Sequence, residues 1–590
     1  MNDHKNMILA IVLSAIVLLG WGFVTERYFP AANEPATKIV DGKSVPVPQP
    51  RADPTADAPR AIRDRRQVLA ETRRIPIATP RLSGSINLTG ARIDDLVLTR
   101  HRQDLTADSP PVRLFSPAGA PDAYFGSFGW TGDGLVTPGP DAVWQASGGR
   151  LTPATPVTLS WTNGQGQIFQ ILLSVDDGYM FTAEQRLVNR GAGPVAARAF
   201  ALVNRVGESR DPTSWTMHVG PVGVLGGSAN YDNDFSTVAE AGTVGYASRG
   251  GWLGFTDKYW LAAIIPDQSA NVDAAFRHNR ETNSFQADFW TPPAIVQPGR
   301  GLRTTARIFA GAKEVQLLES YTDELGIQRL DKAIDWGWFE WFMKPIFSLL
   351  NWLFAQIGNF GVAIICLTII VRLLLYPIAQ KQFASMAAMR VVQPKAKLIQ
   401  ERWKDDRGRM QQEMMKLYKE EKVNPVAGCL PLLLQIPIFY ALYKVLMLAV
   451  EMRHEPFVLW IRDLSAPDPL TPINLFGFLP FTPPSIIAVG VLPILVGVTM
   501  WLQMRLNPPM PDPVQRQIFA LMPWVLVFIM APFAAGLQLY WVTNNILSIG
   551  QQKLLYARHP GLREPVAAAP PPEPEPTKAP PAKRKRPRAK

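Results

Sequence analysis

This 590-residue chain contains only two cysteines, Cys366 and Cys429, so a disulfide framework cannot stabilise an exported part of it. Charged residues make up only 18% of the sequence and hydrophobic residues 47%, a balance typical of a membrane protein with a soluble part. The soluble part must then be held together by its own hydrophobic core, which about 300 residues can supply.

The sequence also lacks the short patterns of common catalytic sites. It has no HExxH, GxSxG or Walker sequence, and its six histidines are scattered along the chain. The apolar runs show no paired aspartates and no serine–histidine arrangement, which an intramembrane protease would need. We therefore expect no enzyme activity, no cofactor and no metal site.

Acidic residues are absent from the six longest apolar runs, each of which is a candidate membrane span. The first run could be a cleaved signal peptide, but the bulky Trp21, Phe23 and Tyr28 at its end favour an uncleaved anchor. The six runs are residues 7–24, 360–376, 428–450, 486–503, 518–533 and 536–549.

Positive charge is concentrated in two segments. Residues 378–424 carry eleven Lys and Arg against six Asp and Glu, and residues 553–590 carry ten against three. Because Lys and Arg remain on the cytoplasmic side, we expect six spans with both termini inside and the loop 451–485 outside. The two segments are candidates for binding anionic lipid, and the tail 583–590 could equally bind ribosomal RNA. We expect no binding to DNA.

Residues 75–325 alternate in the manner of β-strands, and residues 157–161 and 168–173 around Asn163-Gly164 predict a hairpin. The predicted fold is a polytopic α-helical membrane protein with a large external all-β sandwich domain. Its expected order is a membrane anchor (1–29), a Pro-rich linker (30–60), the β-sandwich (61–325), an interfacial amphipathic helix (326–350), a second span (351–377), a cytoplasmic helical hairpin (378–426), four further spans (427–556) and a disordered basic tail (557–590).

The basic segment 378–424 has two narrow apolar stripes, which predict an antiparallel pair of helices. Pro394 should kink or restart the first helix. Methionine is frequent here, and its flexible side chain suits contact with varied apolar partners. The predicted contact residues are Met386, Met389, Met410 and Met414.

Arg372 is the single charged residue in the run 360–376. A charge near the centre of a bilayer costs about 2.5–3.5 kcal/mol, and no acid in the six runs can pair with it. Snorkelling toward the interface is one explanation, since Pro377 lies only five residues further on. We favour a water-filled groove that accepts an anionic partner.

Several polar residues could line such a groove. Thr368 lies one helical turn before Arg372, so both side chains share a face. Any one polar residue in a membrane helix could instead hold two helices together. The residues predicted to hydrate the groove beside Arg372 are Thr368, Gln435, Gln538, Thr543 and Asn544.

Three stretches of the sequence are long and specific. They read IIVRLLLYPIAQKQFASMAAMRVVQPKAKLIQER, QEMMKLYKEEKVNPVAGCLPLLLQIPIFYALY and GLQLYWVTNNILSIGQQ. Over residues 335–556 they resemble the YidC/Oxa/Alb family of membrane protein insertases. The N-terminal anchor and the large β domain resemble the Gram-negative bacterial form of that family.

The resemblance implies a multi-pass insertase and chaperone of the bacterial inner membrane, with its β domain in the periplasm as a supersandwich similar to sugar-binding folds. It implies that Arg372 is the groove arginine and Thr368 a substrate contact, and that an aromatic contact falls at Tyr540 or Trp541. The implied partners are nascent membrane proteins, the ribosome, SecYEG and SecDF.

Two other functions stay open at this stage. A secondary transporter or channel for a small anion would also use a midplane arginine and proline-broken helices, although no internal repeat is visible. A periplasmic carbohydrate-active enzyme on a membrane anchor is the other alternative, although the β segment shows no evident acid/base pair.

Overall fold

The structure is a computed structural model that describes most of the chain. It describes residues 37–40, 43–46, 61–106, 108–211, 217–404, 406–421, 430–479, 481, 484, 488–506 and 513–558, with the backbone alone in some stretches such as 381–391. The predicted anchor (1–29), the tail from residue 559 onward, and the side chains of Met386 and Met389 lie outside the described residues. The described chain forms two compact units: the first extends to Gly337 and also includes Leu448–Val450, and the second comprises the rest.

The first unit is built from antiparallel strands. They are β1 (Thr37–Val40), β2 (Lys43–Pro46), β3 (Arg74–Ala78), β4 (Leu82–Asn87), β5 (Arg92–Arg102), β6 (Pro111–Phe115), β7 (Tyr124–Thr131), β8 (Gln145–Ser147), β9 (Val157–Thr162), β10 (Gln167–Val175), β11 (Met180–Asn189), β12 (Val195–Val206), β13 (Gly220–Leu225), β14 (Ser228–Asn230), β15 (Thr243–Arg249), β16 (Trp252–Thr256), β17 (Trp260–Pro266), β18 (Asn271–Asn279), β19 (Ser284–Trp290), β20 (Ala294–Val296) and β21 (Gly301–Ala312).

These strands form two large sheets and one small hairpin. The nine-stranded sheet has the order β14-β13-β16-β17-β21-β11-β10-β9-β8. The ten-stranded sheet has the order β15-β18-β19-β12-β7-β5-β4-β3, with β6 paired to β5 and β20 paired to β12. The predicted hairpin is confirmed, because β9 and β10 pair antiparallel with Ile168 opposite Thr162.

The two sheets contact each other through buried side chains. Along β10 every second residue is buried, as a strand with one core-facing side requires. Trp130 of β7 and Phe169 of β10 belong to opposite sheets and meet edge to face with their ring centroids 5.3 Å apart. Gln185 of β11 also crosses the core, where its amide nitrogen donates to the carbonyl of Gly129 at 2.9 Å. The large antiparallel sheets therefore agree with the predicted all-β domain.

One part of the predicted linker 30–60 differs from the prediction. Strands β1 and β2 pair antiparallel inside it, with Val40 opposite Lys43. The sequence carries a signal for this pairing, because Asp41-Gly42 is a dipeptide that favours a two-residue hairpin turn. Among its described residues, the first unit also contains the helices α1 (Arg65–Ala70), α2 (Phe235–Ala241) and α3 (Val315–Glu324).

The second unit is helical. Its helices are α4 (Glu340–Ile357), α5 (Phe360–Leu374), α6 (Tyr376–Arg402), α7 (Arg407–Glu420), α8 (Leu430–Leu448), α9 (Val491–Leu506), α10 (Pro513–Met530) and α11 (Ala535–Arg558). Helix α5 packs against α4 and α11, and α9 packs against α10 and α11. Within the described residues, no helix is at once long and apolar enough to cross a membrane. The six spans therefore remain a prediction.

The helix boundaries near Arg372 differ from the predicted ones. The predicted interfacial helix (326–350) begins later, at Glu340, and extends to Ile357. The predicted second span (351–377) is then divided between α4 and α5, because Gly358 ends α4 in the left-handed conformation. Asn359 starts α5 by accepting a hydrogen bond from the amide of Val362 at 3.0 Å.

The predicted helical hairpin consists of α6 and α7. Val392 and Ala396 of α6 form a buried cluster with Leu417 of α7, and Met414 packs against it. Asp406 caps α7 by accepting from the amide of Arg409 at 3.0 Å. Helix α6 runs through Pro394 without ending there, so the helix does not restart at this residue, and the alternative expectation of a kink stays a prediction.

Candidate functional site

Arg372 lies in the last turn of α5 and its side chain is partly buried. Its Nε donates to Oδ1 of Asn544 at 2.7 Å, and its Nη2 donates to the backbone carbonyl of Asn544 at 3.3 Å. Nη2 also donates to Oγ of Ser548 at 2.6 Å. One edge of the guanidinium is thus fixed to α11 by three hydrogen bonds.

The spacing on α11 explains this clamp. Asn544 and Ser548 are four residues apart, so their side chains lie on the same face of the helix. The hydroxyl of Ser548 accepts from Arg372 and donates in turn to the carbonyl of Asn544 at 2.7 Å. Ser548 was not among the predicted groove residues, although its position one turn after Asn544 could have identified it.

The other nitrogen of the guanidinium has a different environment. Among the described residues, Nη1 of Arg372 has no hydrogen-bond partner and no carboxylate lies within ion-pair distance of the side chain. The three oxygens that hold the guanidinium come from a side-chain amide, a backbone carbonyl and a hydroxyl, and all three groups are neutral. Its positive charge is therefore oriented by neutral groups and is not neutralised by them.

Tyr540 continues the same face of α11 one turn before Asn544. Its ring is buried, and its hydroxyl accepts a hydrogen bond from the side-chain amide of Gln435 on α8. Three helices therefore contribute to one polar line: α5 through Arg372, α8 through Gln435, and α11 through its residues 540, 544 and 548. We call this line the arginine cleft and define it by Arg372, Gln435, Tyr540, Asn544 and Ser548.

Three other predicted groove residues lie on the same helices as the arginine cleft but are not part of its hydrogen-bonded line. Thr368 is buried one turn before Arg372, and its hydroxyl donates to the carbonyl of Ile364 in its own helix at 2.6 Å. Trp541 packs edge to face on Phe439 of α8, with ring centroids 5.0 Å apart. Thr543, two residues after Trp541, is partly buried.

Gln538 lies on a different face and serves another contact. Its side-chain nitrogen donates to the carbonyls of Met530 and Phe533, both at 2.8 Å, where α10 ends. Asn545 shares this face and donates to the hydroxyl of Thr499 on α9 at 3.0 Å. The structure therefore places Gln538 in helix packing beside α9 and α10, and not in the arginine cleft.

The hairpin residues are placed separately from the cleft. Met414 is partly buried against the Val392–Leu417 cluster, and Met410 is partly buried on the preceding turn of α7. Within the part of the chain that the structure describes, no group of three or more His, Cys, Asp and Glu side chains could hold a metal ion. The side chains of the arginine cleft offer hydrogen bonds and one positive charge.

Two family models match the chain in succession. Residues 74–349 match the model described as the YidC periplasmic domain, and residues 352–561 match the model described as the 60Kd inner membrane protein. The boundary between the two matches lies within α4.

Curated relatives cover nearly the whole sequence. The membrane protein insertase YidC of Zymomonas mobilis is 48% identical over 561 residues, which cover 95% of this chain and 96% of the relative. The protein of the same name from Methylorubrum extorquens is 44% identical over 591 residues, with the same two coverages.

A solved structure of an active YidC insertase shares 18% sequence identity and covers 91% of this chain and 98% of the other, with a TM-score of 0.34. At that score the likeness carries no structural argument. The two curated relatives, at 44% identity or more across 95% of the chain, establish family membership without that structure. The chain belongs to the YidC family of membrane protein insertases.

Proposed function

We propose that this insertase integrates membrane proteins through the arginine cleft, which receives the polar or acidic flank of an incoming segment. The proposal includes six spans with both termini in the cytoplasm, the β domain in the periplasm and the hairpin α6–α7 in the cytoplasm. It rests on the apolar runs and on the Lys and Arg bias of the sequence. Family membership favours this function over the anion transporter considered from the sequence.

The observation that supports the proposal is that only part of the hydrogen-bonding capacity of Arg372 is occupied. Neutral oxygens hold its Nε and Nη2, while Nη1 has no partner among the described residues. A guanidinium held in this way has a fixed position and an uncompensated charge. A carboxylate on a passing segment can therefore gain a charge-assisted hydrogen bond without displacing an acid of the protein.

The energetic problem of insertion is the transfer of polar residues past apolar lipid. A charge withdrawn from water is unfavourable unless it finds a partner. Arg372 supplies such a partner, while Gln435, Tyr540 and Asn544 offer further hydrogen-bonding groups along the path. The apolar part of the segment gains about 25 cal/mol for each Å² that leaves water for lipid, which drives the step without ATP.

The hairpin is the proposed site of first contact with a substrate. Met410 and Met414 offer adaptable apolar surface, and Met386 and Met389 are proposed to extend it. The basic outer faces of the hairpin and the tail are proposed to bind anionic lipid or the ribosome. SecYEG and SecDF are proposed partners on the basis of family membership.

The test uses the full-length protein in proteoliposomes and a substrate with one apolar segment. One substrate carries Asp and Glu in its N-terminal tail, and its matched control carries Asn and Gln at the same positions. Loss of a hydrogen bond between charged groups is worth about 1.5–3 kcal/mol, so Arg372→Ala should slow insertion of the acidic substrate roughly ten- to hundred-fold. Protease protection of the translocated tail measures the rate.

Arg372→Lys is the matched control variant, because it retains the positive charge. It should insert the acidic substrate far better than Arg372→Ala does. The Asn and Gln substrate should distinguish the variants much less. If Arg372→Ala inserts both substrates at the wild-type rate, the proposed role of the charge is wrong.

A further inference from the structure

The segment that connects α8 to α9 exposes an unusual amount of apolar surface. We call residues 472–479 and 481 the apolar loop. Phe478 is 86% exposed, which is extreme for a phenylalanine. The sequence from residue 469 to residue 504 contains no Lys, Arg, Asp, Glu or His. The exposed apolar side chains of the loop are Ile473, Leu475, Phe476, Phe478, Leu479 and Phe481.

Two residues of the apolar loop have a strained backbone conformation although their side chains remain exposed. Leu475 has φ 50° and ψ 48°, and Phe476 has φ 59° and ψ 34°, so two successive bulky residues are left-handed. Glycine would adopt this conformation without steric conflict, whereas leucine and phenylalanine do so at a cost. Both side chains nevertheless remain at least half exposed. Burial against the protein therefore does not compensate for the strain.

Four backbone amides of the apolar loop donate to carbonyls of the loop itself or of the adjoining Thr471. The amide of Phe476 donates to the carbonyl of Thr471 at 3.0 Å, and the amide of Leu479 donates to the carbonyl of Asn474 at 3.0 Å. The amides of Phe478 and Phe481 also donate inside the loop, at 3.2 Å and 2.9 Å. Local hydrogen bonds of this kind lower the cost of moving these four amides out of water and into the lipid interface.

Asp468 fixes the base of the loop. Its buried carboxylate accepts from the amide of Leu470 at 3.0 Å, from Nε1 of Trp460 at 2.9 Å and from the amide of Leu492 at 2.7 Å. Leu492 lies in the first turn of α9, so the carboxylate joins the loop to the start of that helix. A side chain at position 490 would collide with Asp468, which explains the glycine there. The exposed residues are thus presented from a fixed base.

We propose that the apolar loop inserts into the interfacial layer of the lipid bilayer and anchors the start of α9 there. A protein-binding surface usually surrounds its apolar centre with a polar rim, and the loop has no charged residue that could form one. Its apolar surface also continues along the chain into α9, where Leu495 and Leu502 are exposed. The proposal is independent of the role of Arg372.

The test measures the depth of the loop in lipid with nitroxide labels on the full-length protein in proteoliposomes. Cys366→Ala and Cys429→Ala remove the native thiols, and Phe476→Cys or Phe478→Cys introduces the label. Glu281→Cys, in the exposed turn between β18 and β19, is the control in water. At positions 476 and 478, collision with oxygen should exceed collision with a water-soluble nickel chelate, and the ratio should be severalfold higher than at position 281.

Two results would overturn the proposal. A ratio equal to that at position 281 would place the loop in water, and low collision with both reagents would mean that protein covers it, including a second copy of the chain. A second variant tests anchoring itself. With the label at position 476, Phe478→Asp should lower the oxygen-to-nickel ratio severalfold, whereas Phe478→Leu should preserve it. An unchanged ratio in Phe478→Asp would contradict anchoring by the loop.

Discussion

Arg277 in the β domain and Arg372 in the helical unit are both withdrawn from water, but different groups receive their hydrogen bonds. Nε of Arg277 donates to both carboxylate oxygens of Asp288, at 2.6 Å and 3.2 Å, and that carboxylate is fully buried. Arg372 donates only to amide, carbonyl and hydroxyl oxygens among the described residues. The first arrangement neutralises a cation, and the second positions one.

The same contrast extends to other cations of the β domain. Arg74 pairs with the buried Asp94, and Arg205 pairs with Asp257 at 3.1 Å. A buried ion pair is costly to break, because its loss leaves one charge without a partner. Permanent pairs of this kind stabilise a fold, but they leave no charge available for a transient ligand. These three arginines of the β domain therefore serve its structure, whereas Arg372 of the helical unit is the one that we propose for binding.

The largest expected effect is the loss of a carboxylate in the β domain. Asp288→Asn leaves Arg277 buried beside a neutral amide, and it also weakens the hydrogen bond from Nε1 of Trp290. We expect the free energy of opening of β18 and β19 to fall by about 3–5 kcal/mol. Hydrogen exchange of peptides from these strands in the full-length protein measures the change.

Asp273→Asn is the matched control, because Asp273 pairs with Arg198 at the protein surface. Exposed ion pairs contribute at most about 1 kcal/mol, so exchange in β18 should change little. Equal effects of the two substitutions would show that burial does not distinguish the pairs.

Lys313 sharpens the comparison, since it is a buried cation of the β domain with neutral partners. Its Nζ donates to Oγ1 of Thr256 and to the carbonyl of Asp257, both at 2.8 Å. Burial lowers the pKa of Lys313 from 10.5 to about 8, and the carboxylates of Asp257, Asp211 and Asp335 oppose this shift. The unfolded chain therefore binds this proton more tightly than the folded chain.

Between pH 8 and 10.5 the free energy of unfolding should consequently rise with pH, by about 3 kcal/mol for the full shift of the pKa. Lys313→Met should lack this rise. Pulse proteolysis of the β domain in urea, on both full-length proteins at pH 7 and pH 10, measures the difference. A wild-type protein whose stability falls relative to the variant over this range would contradict the assignment.

Ser548→Ala tests the clamp with a smaller expected effect. It removes one of three acceptors of Arg372 and leaves the charge and Asn544 in place. A hydrogen bond between membrane helices is worth about 0.6–2 kcal/mol, so exchange near the middle of α11 should accelerate to that extent. Ser348→Ala, on the exposed face of α4, should leave exchange of its own helix nearly unchanged. If the two substitutions behave alike, the bond to Ser548 is not a stabilising contact.

The sequence allowed good prediction where the signal is local. The alternation in residues 157–173 predicted the β9–β10 pair, and the isolated charge of Arg372 in an apolar run singled out the side chain that Asn544 now holds, while its role in a groove stays a prediction. The order of strands within the two sheets was not predictable, because β11 pairs with β21 across more than a hundred residues. Such pairing depends on the whole fold and leaves no trace in neighbouring residues.

The predicted groove residues fall into two groups, those that the structure brings to the arginine cleft and those that it places in helix packing. Gln435 and Asn544 were predicted from their polarity in apolar runs, and the structure brings both to the arginine cleft. Gln538 has the same polarity but faces the end of α10, because it occupies another side of α11. Polarity marks a residue as exceptional in an apolar helix, whereas the choice between cleft and packing depends on which neighbours its face meets.

The most direct test of the central claim gives Arg372 the kind of partner that Arg277 has. Asn544→Asp places a carboxylate at the atom that now accepts from Nε, with almost no change in shape. Asn544→Ala is the control, because it removes the acceptor without adding charge. Insertion of the acidic-tailed substrate into proteoliposomes should fall much further in Asn544→Asp than in Asn544→Ala, while the substrate with the neutral tail is inserted similarly by both. Wild-type insertion of the acidic substrate by Asn544→Asp would contradict the account.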